Sequence, residues 1–217
     1  MKITIQSTLL PRADPPFVGT QIRVRVPHEP GGSLEYGLFA VKRPEPGFID
    51  WGDGSRQEFT TLSYAVHTYP SPGTYLIRID AGLSDFVPVT LNPKYEYPTK
   101  YAPCVLGVVS NDESLPYIGA NGFNGCLNMT QLDFRSAGID RLVKANFKGC
   151  AALTGEVYFP LVASVQGTAG DMPFEGCTGI TAIHFAKQHE AAITGGAAYQ
   201  ADPTLGTGVP DVCVFDP

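Results

Sequence analysis

The groups in this chain that could do chemistry beyond packing are few. They are five cysteines, four histidines and a scatter of carboxylates. Three of the cysteines recur in one phrase: Phe123-Asn124-Gly125-Cys126, Phe147-Lys148-Gly149-Cys150 and Phe174-Glu175-Gly176-Cys177. A thiol can be a nucleophile, a disulfide partner, a zinc ligand or a small hydrophobe. Cys126, Cys150 and Cys177 lie 24 and then 27 residues apart, far from the Cys-x2-4-Cys spacing of zinc sites, and no histidine stands beside them. The odd total, completed by Cys104 and Cys213, excludes full intrachain pairing. A period in the twenties would stack the three sulfurs on one face. The reading is of buried free thiols; a disulfide between adjacent turns stays open, since it needs only Cα atoms within about 7 Å.

The histidines are His28, His67, His184 and His189. The last two miss the i, i+4 spacing of helical metal ligands, so no metal is expected. No G-x-S-x-G, H-E-x-x-H, Walker A or G-x-G-x-x-G is present. Asp50 and Asp53 flank Trp51, but calcium takes six to eight oxygens and carboxylates are sparse there, so Asp53 reads as a turn brace. His67 reads as a packing histidine with no Ser or Cys nucleophile matched to it. The Asn128-Met129-Thr130 sequon reads as a chance match. The expectation is therefore a protein that is not an enzyme and carries no cofactor.

Composition narrows the class further. With 43% hydrophobic and 17% charged residues the chain can bury a core. A formal charge of −6 argues against a nucleic-acid footprint. No run of about 18 apolar residues predicts a membrane-spanning helix, and Met1–Leu10 alternates like a strand, without a signal-peptide core.

The elements that must position these residues are mostly strands, given 24 glycines and 19 prolines. Alternation predicts strands at Ile3–Ile5, Gln21–Val26, Leu38–Val41, Phe48–Trp51, Gln57–Thr60, Thr74–Asp80 and Phe86–Leu91. Turns or breaks fall at 27–32, at Pro44-Glu45-Pro46-Gly47 and at 52–55. Residues 92–103, rich in proline, read as a stiff connector. Apolar 104–109 opens a second half. Phe185, His189 and Ile193 predict a helix ended by Gly195 and Gly196, and 211–217 a closing strand.

Ile49-Asp50-Trp51-Gly52-Asp53-Gly54-Ser55, then His67-Thr68-Tyr69, then Pro72-Gly73-Thr74-Tyr75, resembles the polycystic-kidney-disease-type (PKD) repeat. That resemblance implies an immunoglobulin-like sandwich, with Trp51 between the sheets and Asp53, His67 and Tyr69 around the turn. The F-x-G-C-x-x-L phrase, with its entry Ile118–Phe123 and strands at Leu132, Val157 and Ile183, resembles the BspA-type leucine-rich repeat. It implies a short solenoid in which Phe123, Phe147 and Phe174 form one ladder and Cys126, Cys150 and Cys177 another. The expected fold is mainly β: a PKD-like sandwich over 1–96, then a leucine-rich-repeat solenoid with small helical turns and a C-terminal cap over 97–217.

On the exposed strand face, alternation turns Gln131, Asp133, Arg135, Tyr158 and His184 outward. They are the candidate binding surface, and a merely solvated face is the alternative. The resemblances imply adhesion, with a protein or glycan ligand, at a bacterial surface. A structural part of a larger assembly, such as a phage-like tail or surface fibre, is the second expectation, with an extracellular or virion-associated setting and oligomers allowed. A hydrolase is the third, wanting a nucleophile–base or paired-carboxylate pattern.

Overall fold

The computed structural model describes residues 17–26, 35–38, 40–62, 65–87 and 101–217. The strand expected at Ile3–Ile5, His28, and most of the connector lie outside these residues. The described residues are mainly β, 41% in strands and 9% helical.

Alternation decides β1 (Gly19–Val26), where Ile22, Val24 and Val26 are buried and Arg25 is exposed. Its neighbour β6 (Gly73–Asp80) pairs antiparallel with it, setting Ile22 opposite Ile77. Beyond β6 come β3 (Ala40–Asp50) and β4 (Arg56–Leu62), with β7 (Asp85–Val87) also on β3. Proline was expected to break β3 at 44–47. Instead the strand runs through, and its pairing with β4 skips from Lys42 to Gly47. Pro44 and Pro46 have no N–H to give the ladder, and they fall inside that irregular stretch. A second pair, β2 (Glu35–Leu38) with β5 (Ala65–Thr68), forms its own small sheet.

The large sheet does not stop at residue 96. β8 (Val105–Ser110) pairs antiparallel with β1, and β9 (Gln131–Asp133) adds in parallel to β8. Asp112, buried, accepts hydrogen bonds from the backbone N–H of Gly82, Leu83 and Ser114. Phe86 meets Phe123 edge-on at 6.4 Å. One connected core therefore runs from β1 to the last strand.

From β8 onward each copy of the recurrent phrase makes a turn whose backbone bonds to the next. Phe123, Phe147 and Phe174 donate to Asn146, Pro173 and Leu205, at 2.8, 2.8 and 3.0 Å. Gly125, Gly149 and Gly176 donate to Lys148, Glu175 and Gly206, at 2.7, 2.7 and 3.0 Å. The three glycines have φ of 78°, 73° and 79°, which explains why each phrase carries one. The last rung, Leu205–Gly206, has neither the phenylalanine nor the cysteine. Phe123, Phe147 and Phe174 stack inside at centroid distances of 5.8 and 5.2 Å. Phe134 and Phe159 form a second column at 6.3 Å.

The later strands pair in parallel: β10 (Arg141–Leu142) with β12 (Ser164–Val165), β11 (Thr154–Phe159) with β13 (Gly179–Ala186), and β13 in turn with β14 (Cys213–Asp216). The helix expected from Phe185 starts later. Phe185 stays in β13, opposite Phe159 and Phe215, because sheet pairing outweighs the helical spacing. A 3-10 turn at Lys187–His189 follows, then α1 (Glu190–Thr194), capped by Gly195, and α2 (Ala197–Ala201). Among the described residues no helix is long and apolar enough to cross a membrane.

Candidate binding face

The three cysteines of the recurrent phrase face inward. Cys126, Cys150 and Cys177 are fully buried, and all five cysteines are free, so no disulfide joins adjacent turns. The thiol of Cys150 donates to the Phe123 carbonyl at 3.2 Å, and that of Cys177 to the Phe147 carbonyl at 3.0 Å. Burial pushes the Cys150 thiol well up; for Cys177 the contact with Cys150 leads, followed by burial. Burial also drives Cys213 up to about 12. These thiols stay protonated at neutral pH and are poor nucleophiles. Among the described residues no group of three His, Cys, Asp or Glu could hold a metal ion.

The turn after Trp51 is a closed hydrogen-bonded knot. Gly52 N–H donates to Asp50, and Ser55 N–H and Oγ to Asp53. Asp53 Oδ2 sits 2.7 Å from His67 Nε2. Burial would raise the Asp53 carboxyl, but the bonds from Ser55 and His67 outweigh it and bring it down to about 2. His67 stacks on Trp51 at 5.1 Å, and Tyr69 donates to the Trp51 carbonyl at 3.0 Å. The sequence matched no nucleophile to His67, yet Ser55 Oγ lies 3.2 Å from its Nε2. Asp53 approaches that same nitrogen. A Ser-His-Asp triad needs serine and aspartate on opposite ring nitrogens, so this knot braces a turn.

The outward face is different. β11 buries Val157 and Phe159 and turns Tyr158 out; β13 buries Ile183 and Phe185 and turns His184 out. Parallel register sets Tyr158 beside His184, and His184 beside Val214. Strand spacing of about 4.8 Å then forces the rings into contact. Tyr158 and His184 stack at 4.2 Å and 12°, and the Arg135 guanidinium carbon lies 4.6 Å from the Tyr158 centroid. Arg135, Tyr158 and His184 thus form one column, each from a successive repeat. Asp133 joins through Arg135 Nε at 3.3 Å. Gln131 packs against Gly107 and takes no part in the stacking of Arg135, Tyr158 and His184.

Beside the column is a cleft of about 260 Å³ lined by Arg135, Tyr158, His184, Asp216 and an apolar floor of Pro160, Phe185, Ala186 and Pro217. Two carboxylates outside the expected surface set, Glu156 and Asp216, contact the column. Glu156 accepts from Tyr158 Oη at 2.6 Å, which raises the phenol, and lies 3.5 Å from His184 Nε2. Asp216 lies 2.9 Å from His184 Nδ1. The imidazole is therefore aimed at carboxylates from both nitrogens, and its covered Nε2 makes no hydrogen bond. Glu156 was legible, being two residues before Tyr158 on the same face. Asp216 required the register of the closing strand. Compared with family models, curated proteins and solved structures, the chain matches none.

Proposed function

We propose that this chain is a non-enzymatic binding protein of the bacterial cell surface, adhesive towards protein or glycan. In this reading a PKD-like, immunoglobulin-like sandwich holds one end of a short leucine-rich-repeat solenoid of the BspA type. The solenoid's strand face makes the contact. The observation that carries the proposal is the Arg135–Tyr158–His184 column with its adjoining cleft. Three large polar side chains, ordered by stacking rather than left free, lose little entropy on binding. Arginine and tyrosine are also the residue types that dominate contact energies. The rungs of hydrogen bonds between successive phrases support the solenoid, and the sheet shared through β1 and β8 supports the capping role.

The test passes the full chain over panels of host-type glycans and matrix proteins, alongside Tyr158→Ala and His184→Ala. Retention of a defined ligand, weakened about tenfold or more by either change, is expected. Equal retention by the variants, or turnover of a glycoside or peptide substrate, refutes the proposal.

A second reading, a structural part of a larger assembly, is favoured by one observation: β14 is the outer strand of its sheet, and an outer strand can pair with another chain. Sedimentation across a concentration series separates the two. A monomer throughout opposes assembly, and growth with concentration supports it.

A further inference from the structure

We infer that the cleft takes a carboxylated sugar, a sialic- or uronic-acid unit whose carboxylate pairs with Arg135. This rests on the binding-face reading above. Arg135 is 62% exposed, yet it is not loose: Asp133 holds its Nε at 3.3 Å and Tyr158 supports its face at 4.6 Å. Its two Nη atoms have no hydrogen-bond partner among the described residues. A guanidinium held over a ring with that edge open is preorganised for two-pronged pairing with a carboxylate.

The rest of the cleft selects what carries the carboxylate. Pro160, Phe185, Ala186 and Pro217 give an apolar floor for the C–H face of a pyranose ring. Asp216, which lines the cleft and is 47% exposed, can accept from sugar hydroxyls. It already accepts from His184, which softens repulsion of an incoming anion. Tyr158 has Arg135 on one face and His184 on the other. A neutral sugar therefore finds no open aromatic ring to stack on, and Arg135 remains the strong anchor. A volume of about 260 Å³ suits one sugar unit, since pockets for drug-sized ligands run to about 300–1,000 Å³.

The experiment is titration of the full chain with 3′-sialyllactose, its methyl ester, lactose and a glucuronic-acid-terminated disaccharide, followed by calorimetry. At least one acid is expected to bind about tenfold or more tightly than the ester and lactose, and which acid does so identifies the sugar. Arg135→Gln should remove that preference, and Arg135→Lys most of it, since lysine lacks the planar fork. Arg56→Gln, at the similar stack of Arg56 on Phe48 (4.4 Å), should bind as the parent does. The inference is overturned if acid and ester bind equally, if Arg135→Gln keeps the preference, or if no saccharide binds. When a neutral glycan or a peptide binds instead and Tyr158→Ala weakens it, this inference fails and the binding-face reading survives. When neither acid nor any other ligand depends on the column, both fail.

Discussion

Replacing Phe147 by alanine tests whether the recurrent phrase holds the whole molecule together. Phe147 is fully buried and is the middle ring of its column, 5.8 Å from Phe123 and 5.2 Å from Phe174. Phe134 and Phe159 flank it at 6.4 and 6.1 Å. Truncating a buried phenylalanine costs about 3–5 kcal/mol, more where the site cannot collapse. Here backbone rungs pin the turns on either side, so the cavity should stay open. Ring pairs add about 0.5–1.5 kcal/mol each. The expected loss is about 4–5 kcal/mol, a large share of the roughly 5–15 kcal/mol that stabilises a domain. Phe147→Leu refills most of the volume but forfeits the ring pairs, so it should lose about 2–3 kcal/mol, less than the alanine variant. Urea unfolding measures both. The single tryptophan, Trp51, reports on the first half of the chain, while far-UV circular dichroism reports on the whole. Because the core is connected across residue 96, both transitions should shift together in Phe147→Ala. A loss under about 1.5 kcal/mol, or a Trp51 transition that does not move, refutes the reasoning.

Two further outcomes follow from buried polar groups. Asn146 is buried, donates to the Ile118 and Gly119 carbonyls at 2.9 Å each and accepts from Val143 N–H at 2.7 Å; Asn146→Ala strands three backbone groups and should cost about 3 kcal/mol or more by urea unfolding, and a loss under about 1 kcal/mol contradicts the clamp. The Asp53 carboxyl is held at about 2 in the folded chain, against an ordinary 3.8. A folded pKa below the unfolded one adds stability above about 3.8 that fades as pH falls towards 2. Asp53→Asn should therefore lower stability at neutral pH and flatten its fall over that acid window; an unchanged acid limb contradicts the Ser55–His67 bracing.

Much of this was legible because periodicity is a direct record of stacking. The phrase ending in Cys126, Cys150 and Cys177 recurs, and each glycine within it marks a left-handed turn. Alternation around Val157–Phe159 and Ile183–Phe185 was enough to aim Tyr158 and His184 outward, and with Arg135 they form a single column. What stayed hidden depended on pairing between distant strands. The rung at Leu205–Gly206 carries neither aromatic nor thiol, so only its backbone bonds reveal it. Asp216 reaches His184 through the register of β14 on β13. The spacing of Phe185, His189 and Ile193 suits a helix, yet Phe185 is claimed by neighbours on both sides of its sheet. Apolar 104–109 reads as the start of a second unit, and nothing local in it shows that β8 pairs with β1.

The inward orientation of the recurrent phrase underlies everything proposed for its outer face, and thiol labelling read by mass spectrometry tests it most directly. In the native chain Cys126, Cys150 and Cys177 should remain unmodified while half-exposed Cys213 reacts slowly, and all five should react in denaturant. Labelling of those three in the native chain as fast as in the unfolded one would contradict the account.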